Sequence, residues 1–151
     1  MDDSDEKKKS DTIQTVVFPG RFESLEEIGE FIARFAQEAG FDPNDAYAVQ
    51  LAVDEACTNI IQYAYGGEDR GDIVCTCEVS DEGLEVELRD KGAPFDPDKV
   101  PSPNLDASLE ERKVGGLGLY FMRRLMDNVC FDFTSDEGNV LTMVKRKEKE
   151  P

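Results

Sequence analysis

Between Leu25 and Leu88 the hydrophobic pattern changes its period, and this limits the fold more than any other feature. From Leu25 to Ala64 apolar residues recur at helical spacing, whereas from Ile73 to Leu88 they alternate. A period near 3.6 predicts helices with one buried stripe, and a period of two predicts strands with one buried face. Two helices therefore precede a hairpin. A further strand is expected at Thr12–Phe18 (TIQTVVF), rich in β-branched residues and ended by Pro19-Gly20. Leu119, Met122 and Met126 predict an inward helix face over 117–127, followed by strands near 129–134 and 140–146. The order is β-α-α-β-β-loop-α-β-β. Helices and strands do not strictly alternate, so an α+β two-layer sandwich is expected instead of a doubly wound sheet.

Local signals set the ends of these elements. Ser24 is the expected N-cap of the first helix, with Glu27 as its capping-box partner. Gly40 is the expected left-handed residue at its end, followed by Phe41 as the hydrophobic contact. Asp42 caps the second helix and Pro43 fits its first position. That helix is expected to run to about Tyr65 and stop at Gly66-Gly67. The tetrapeptide Ser-Asp-Glu-Gly occurs at 80–83 and again at 135–138, each time between two strands. The flanks differ, so this is shared turn chemistry and not a domain repeat.

A length of 151 residues suits one domain. Residues 1–11 and 148–151 read as charged tails around a single domain over 12–147. No apolar run approaches the ~20 residues needed to cross a bilayer, and the N-terminus lacks the apolar core of a signal peptide. A cytoplasmic location is the resulting expectation. The net charge of −17 repels phosphate backbones, so direct nucleic-acid binding is not expected. So much acid fits either solubility in a salty host or a surface for a basic protein partner. The chain has no histidine and no CxxC among its four cysteines. That removes histidine-dependent nucleophilic catalysis, and it argues against a zinc site or a disulfide framework.

Three segments could carry chemistry. On the second helix, Glu55, Thr58, Asn59 and Gln62 share a face apart from the apolar one. Glu55 and Asn59 are four apart, so a carboxylate and an amide oxygen sit ~5–6 Å from each other. The pair suits a base beside a Mg²⁺ ion, or equally a solvated helix face. Asp90-Lys91-Gly92-Ala93-Pro94 follows a strand. Asp90 could accept a hydrogen bond from an exocyclic amine such as adenine N6, or simply begin a turn. Gly115-Gly116-Leu117-Gly118 opens a helix. Its N–H groups could cradle phosphate, or its glycines could form a hinge. It is neither a GxGxxG fingerprint nor a P-loop.

Taken in order, E-x-x-x-N on a helix, D-x-G-x-P after a strand and G-G-x-G before a helix resemble the N, G1 and G2 boxes of the GHKL (Bergerat-fold) ATPases. LAVDEACTNII (51–61), LRDKGAPFDP (88–97) and GGLGLYFMRRLMDNV (115–129) carry the resemblance. It is closest to the stand-alone serine-protein kinases that act as anti-sigma factors, and it spans about 12–147. The resemblance implies a mixed sheet of about five strands covered on one face by about three helices. It implies ATP and Mg²⁺, with Glu55 as general base and Asn59 as the metal ligand. It further implies Asp90 on the adenine amine with Gly92 beside the base, and Gly115, Gly116, Leu117 and Gly118 around the phosphates. Residues 97–116 would form an ATP lid, with Arg112 or Lys113 near the γ-phosphate.

The implied activity is phosphorylation of a Ser or Thr on a STAS-type anti-anti-sigma protein. A sigma factor and a second copy of the chain are further candidate partners, and no membrane is implied. Two rival readings are a non-catalytic ATP/ADP-sensing module and a histidine-kinase-like domain acting in trans. Glu55 favours an enzyme over a sensing module. In two places the chain departs from the family pattern: Tyr63 stands where a His is common after Asn59, and Asn139 stands where a Thr is usual.

Overall fold

The computed structural model describes residues 13–94, 117–136 and 138–147. The expected tails, the lid over 97–116, and Arg112, Lys113, Gly115 and Gly116 lie outside them. Strand β1 (Ile13–Pro19) leads into helices α1 (Ser24–Glu38) and α2 (Pro43–Asn59). Strands β2 (Asp72–Ser80) and β3 (Gly83–Asp90) follow. Helix α3 (Leu117–Leu125) then precedes β4 (Asn128–Ser135) and β5 (Gly138–Arg146). The five strands form one sheet in the order β1-β2-β3-β5-β4. Helix α2 packs between α1 and α3 over one face of it.

The expected α+β two-layer architecture is present, but the sheet is antiparallel throughout and not mixed. Two helices separate β1 from β2, an even number, so the chain re-enters the sheet running the opposite way. The β2–β3 and β4–β5 pairs are hairpins. It is β5, not β4, that meets β3, which keeps the third junction antiparallel as well.

Burial follows the two periods. Ile28, Phe31, Ile32, Phe35 and Ala36 of α1 face Val49, Ala52, Val53 and Ala56 of α2 and the inner face of the sheet. The strands contribute alternate residues: Ile73, Cys75 and Cys77; Leu84, Val86 and Leu88; Leu141 and Met143. Leu119, Met122 and Met126 are buried as the helical spacing predicts. Phe31 makes edge-to-face contacts with Phe18 and Phe35 at centroid distances of 6.0 and 5.2 Å, the geometry that aromatic quadrupoles favour.

Most end signals hold. Gly40 has φ +82°, and the Phe41 N–H donates to the Ala36 carbonyl at 3.2 Å, which closes a Schellman-type end. Asp42 accepts from the Asp45 N–H at 2.8 Å, with Pro43 at the first helical position. Gly83 (φ +150°) is needed twice, since a Cβ there would also strike the Lys145 carbonyl oxygen.

One expectation is corrected and another is refined. Ser24 does not cap α1. It is the first residue of that helix, and its buried hydroxyl donates to the Pro19 carbonyl at 2.7 Å. As a residue inside the first turn, Ser24 is past the cap position, and its hydroxyl turns to the end of β1. The second helix ends where expected, at Ala64 before Gly66-Gly67, but its last turn is not regular. It widens into a π-turn over Ile60–Ala64, with the Tyr65 N–H donating to the Ile60 carbonyl at 2.9 Å. The wider turn lets Ile60 and Ile61 both bury. It also brings the Ala64 carbonyl to the Ala93 N–H at 2.7 Å. Such bulges recur at functional sites.

Candidate nucleotide site

Three polar residues from distant parts of the chain share one cavity. Asn59 comes from the end of α2, Asp90 from the end of β3 and Asn139 from the start of β5. Between them the wall is apolar: Ala56, Ile60 and Ala64 from α2 and its π-turn, Met122 from α3, and Phe131 and Phe133 from β4. The space measures about 440 Å³ when its open mouth is counted. Phe131 and Phe133 stack with their rings 6.0 Å apart and 21° from parallel. An apolar slot with a few convergent polar groups suits a flat heteroaromatic ring.

Asp90 is its most constrained member. It is 6% exposed, a rare degree of burial for a carboxylate. Its Oδ1 accepts from the Gly92 N–H at 2.9 Å and from the Asn139 side-chain amide at 2.9 Å. Burial raises its pKa, and these two hydrogen bonds oppose the rise by favouring the charged form. Gly92 is required for shape, since a Cβ there would strike the Ala64 carbonyl oxygen. The turn after β3 is thus pressed against the π-turn that follows Asn59. Tyr65 braces the same junction, its phenol donating to the Asp72 carbonyl at 2.6 Å and accepting from the Lys91 N–H at 3.0 Å.

Glu55 lies one helical turn before Asn59, partly exposed and outside the cavity wall. Partial burial raises its pKa, and the neighbouring Asp54 charge adds to the rise. Asp54 is itself shifted upward by burial. The Glu55 carboxylate and the Asn59 amide oxygen are hard donors. Among the described residues no three His, Cys, Asp or Glu side chains gather around one point. A Mg²⁺ ion commonly takes one or two protein ligands and draws the rest from phosphates and water. Leu117 and Gly118 open α3, the helix whose Met122 reaches the cavity.

A family model described as the histidine kinase-like ATPase domain matches residues 18–145. The chain belongs to that family. Among curated members of this ATPase family, the chain is 33% identical to the serine-protein kinase RsbW of Bacillus cereus (strain AH187) over 136 residues. That match covers 87% of this chain and 83% of the relative. The serine-protein kinase RsbW of Bacillus thuringiensis subsp. konkukian (strain 97-27) is similar to the same extent. This histidine kinase-like ATPase domain is thus of the RsbW serine-protein kinase type. Among solved structures, the RsbU and RsbW domains of Rv1364c from Mycobacterium tuberculosis share the fold, with a TM-score of 0.62 at 15% identity. The match covers 89% of this chain and 32% of that one. No described helix is long and apolar enough to cross a membrane.

Sequence reasoning reached Asn59 and Asp90 but not the partner that holds Asp90. Asn139 registered there only as a departure from a family pattern. The two Ser-Asp-Glu-Gly turns fix each hairpin, but Asp90 meets Asn139 only through the β3–β5 junction between the hairpins, for which the sequence carries no local signal. Phe131 and Phe133 carry a weaker signal, the i, i+2 spacing that puts both on one face of β4.

Proposed function

We propose that this chain is an ATP-dependent serine/threonine protein kinase that acts as an anti-sigma or similar partner-switching regulator. Its substrate is a Ser or Thr on a STAS-type anti-anti-sigma protein, and a sigma factor is its second partner. The observation that carries this reading is the shared cavity of Asn59 and Asp90, with Glu55 one turn away on the same helix. Similarity to RsbW serine-protein kinases over most of the chain supports it.

In this reading the adenine ring enters the apolar slot beside Gly92, and Asp90 accepts its N6 amine. Asn59 holds Mg²⁺, whose charge, when bound, lowers the cost of charge on the transferring phosphoryl group. Glu55 takes the proton from the Oγ of the incoming Ser or Thr. A helix-borne carboxylate whose pKa is raised by partial burial is a stronger base, provided it is ionised at the working pH. Gly115, Gly116, Leu117 and Gly118 line the phosphates with backbone N–H groups, and Arg112 or Lys113 meets the γ-phosphate. The acidic surface suits a basic partner by charge.

Single-turnover phosphotransfer from labelled ATP with Mg²⁺ to each STAS-domain protein of the same organism tests this. The wild type is expected to label one of them. Glu55→Gln keeps size and helix propensity, so it should retain ATP affinity while transfer falls by ~10²–10⁴-fold. Wild-type transfer rates in Glu55→Gln would refute the assigned base. Absence of transfer by the wild type, with ATP still bound, would favour a sensing module.

A further inference from the structure

We propose that the groove between α1 and α2 is a docking site for a basic amphipathic helix of a protein partner. The inference goes beyond the reading of the nucleotide cavity and does not depend on it, since the two spaces share α2 but no lining residue. Leu25, Ile28 and Gly29 of α1 meet Tyr47, Leu51 and Val53 of α2 around the groove. It measures about 520 Å³ when its open mouth is counted. Ile28 and Val53 are buried at its floor, while Tyr47 stands 64% exposed at its wall.

Gly29 is a residue that the fold does not require. It lies inside α1, where glycine weakens a helix relative to alanine. Its φ is not left-handed, and a Cβ there would meet nothing within 4 Å. What it leaves is open backbone along the groove, with its carbonyl held by the Gln50 side-chain amide at 3.0 Å. The space above the missing side chain is room for a side chain from a partner.

The charges around the groove choose the guest. Helices α1 and α2 together carry seven acidic side chains and one basic one, Arg34, which lies over the Phe31 ring. Asp54 lines the groove itself. Partial burial raises its pKa, and no described cation or hydrogen-bond donor opposes the rise. A lysine or arginine set beside the apolar contact would do so. A second copy of this chain, with its net charge of −17, would add repulsion here. The backbones of α1 and α2 are hydrogen-bonded within their own helices, so the walls offer side chains and few main-chain partners. An extended segment gains no main-chain bonds there, whereas a helix supplies its own. The guest is therefore a helix with apolar residues at i, i+3 or i+4, and i+7, flanked by Lys or Arg.

The test uses a labelled helical peptide of about 18 residues, built of leucine at that spacing and lysine elsewhere, and a twin with glutamate in place of lysine. Fluorescence anisotropy with the full chain is read at physiological ionic strength, where exposed charge alone is largely screened. The lysine peptide is expected to bind, and the glutamate twin is not. Gly29→Leu fills the groove from its floor and should weaken the lysine peptide about tenfold or more, while melting at or above the wild type. Tyr47→Ala trims an exposed wall and should weaken it by a similar factor. Asp54→Lys should do the same, whereas Asp81→Lys, the same change of charge at the exposed β2–β3 turn, should alter affinity by less than about twofold. Equal weakening by the two lysine substitutions would mean attraction to net charge alone and would overturn the inference. Wild-type affinity in both Gly29→Leu and Tyr47→Ala, or no binding of the lysine peptide to the folded wild type, would overturn it too. None of these outcomes bears on ATP binding, so the nucleotide reading stands or falls separately.

Discussion

Asp90→Asn is the sharpest probe of the cavity, because the two donors at Oδ1 dictate how the new amide must lie. The Gly92 N–H and the Asn139 amide both point at that position from 2.9 Å. Only the oxygen of the substituted amide can sit there without a donor–donor clash, so its nitrogen takes the place of Oδ2. The ligand then meets two donor hydrogens where a lone pair stood. Loss of a hydrogen bond to a charged group costs ~1.5–3 kcal/mol, which is roughly a ten- to hundredfold weakening of ATP. A 6-oxo purine meets a new donor at that place and should gain, so inosine triphosphate should overtake ATP.

The fold should tolerate the change, because both donors keep an acceptor and the charge removed was buried. Competition calorimetry with both nucleotides reads the inversion, and thermal unfolding of the apo variant reads the fold. An unchanged preference in a variant that melts like the wild type would refute the placement of the ring against Asp90.

Two further outcomes follow from the same geometry. Glu55 has its pKa raised above the ordinary 4.5 by burial first and by Asp54 second; because the base works ionised, activity should be lost as pH falls through that raised value, and the acid limb of kcat/KM should lie above 4.5. An acid limb at or below 4.5 would show that a different group titrates. Gly92→Ala puts a methyl group against the Ala64 carbonyl, so the π-turn and the Asp90 turn must separate; overpacking of this kind costs about 1–3 kcal/mol, and denaturant unfolding should show it together with weakened ATP binding, whereas wild-type values for both would refute the close approach.

The parts of this protein that local chemistry controls were legible in the chain itself. The Schellman end at Gly40, the Asp42 cap with Pro43, and the in–out alternation of β2 and β3 each depend on residues within a few positions of one another. Those forces act before any tertiary contact exists, so periods and caps report them directly. The order of the three short motifs pointed to the ATPase family for a related reason, since each motif is a local turn or helix face. Ser24 marks the boundary of that logic: its sequence context favours a cap, but it falls inside the first turn of α1, and its hydroxyl turns to the Pro19 carbonyl.

What only the tertiary structure decided is how distant polar groups meet. Asn139 lies 49 residues from Asp90 in the chain, and the pair exists because β5 and not β4 docks on β3. The π-turn at Ile60–Ala64 has the same origin. A regular helix satisfies the sequence there, and the wider turn forms where Ile60 and Ile61 must both bury while Ala64 reaches Ala93. A buried carboxylate and its partner amide carry no periodicity and no propensity. Their pairing is enforced by the cost of leaving either one unsatisfied away from water, and that cost arises only once the sheet and helices have closed over them.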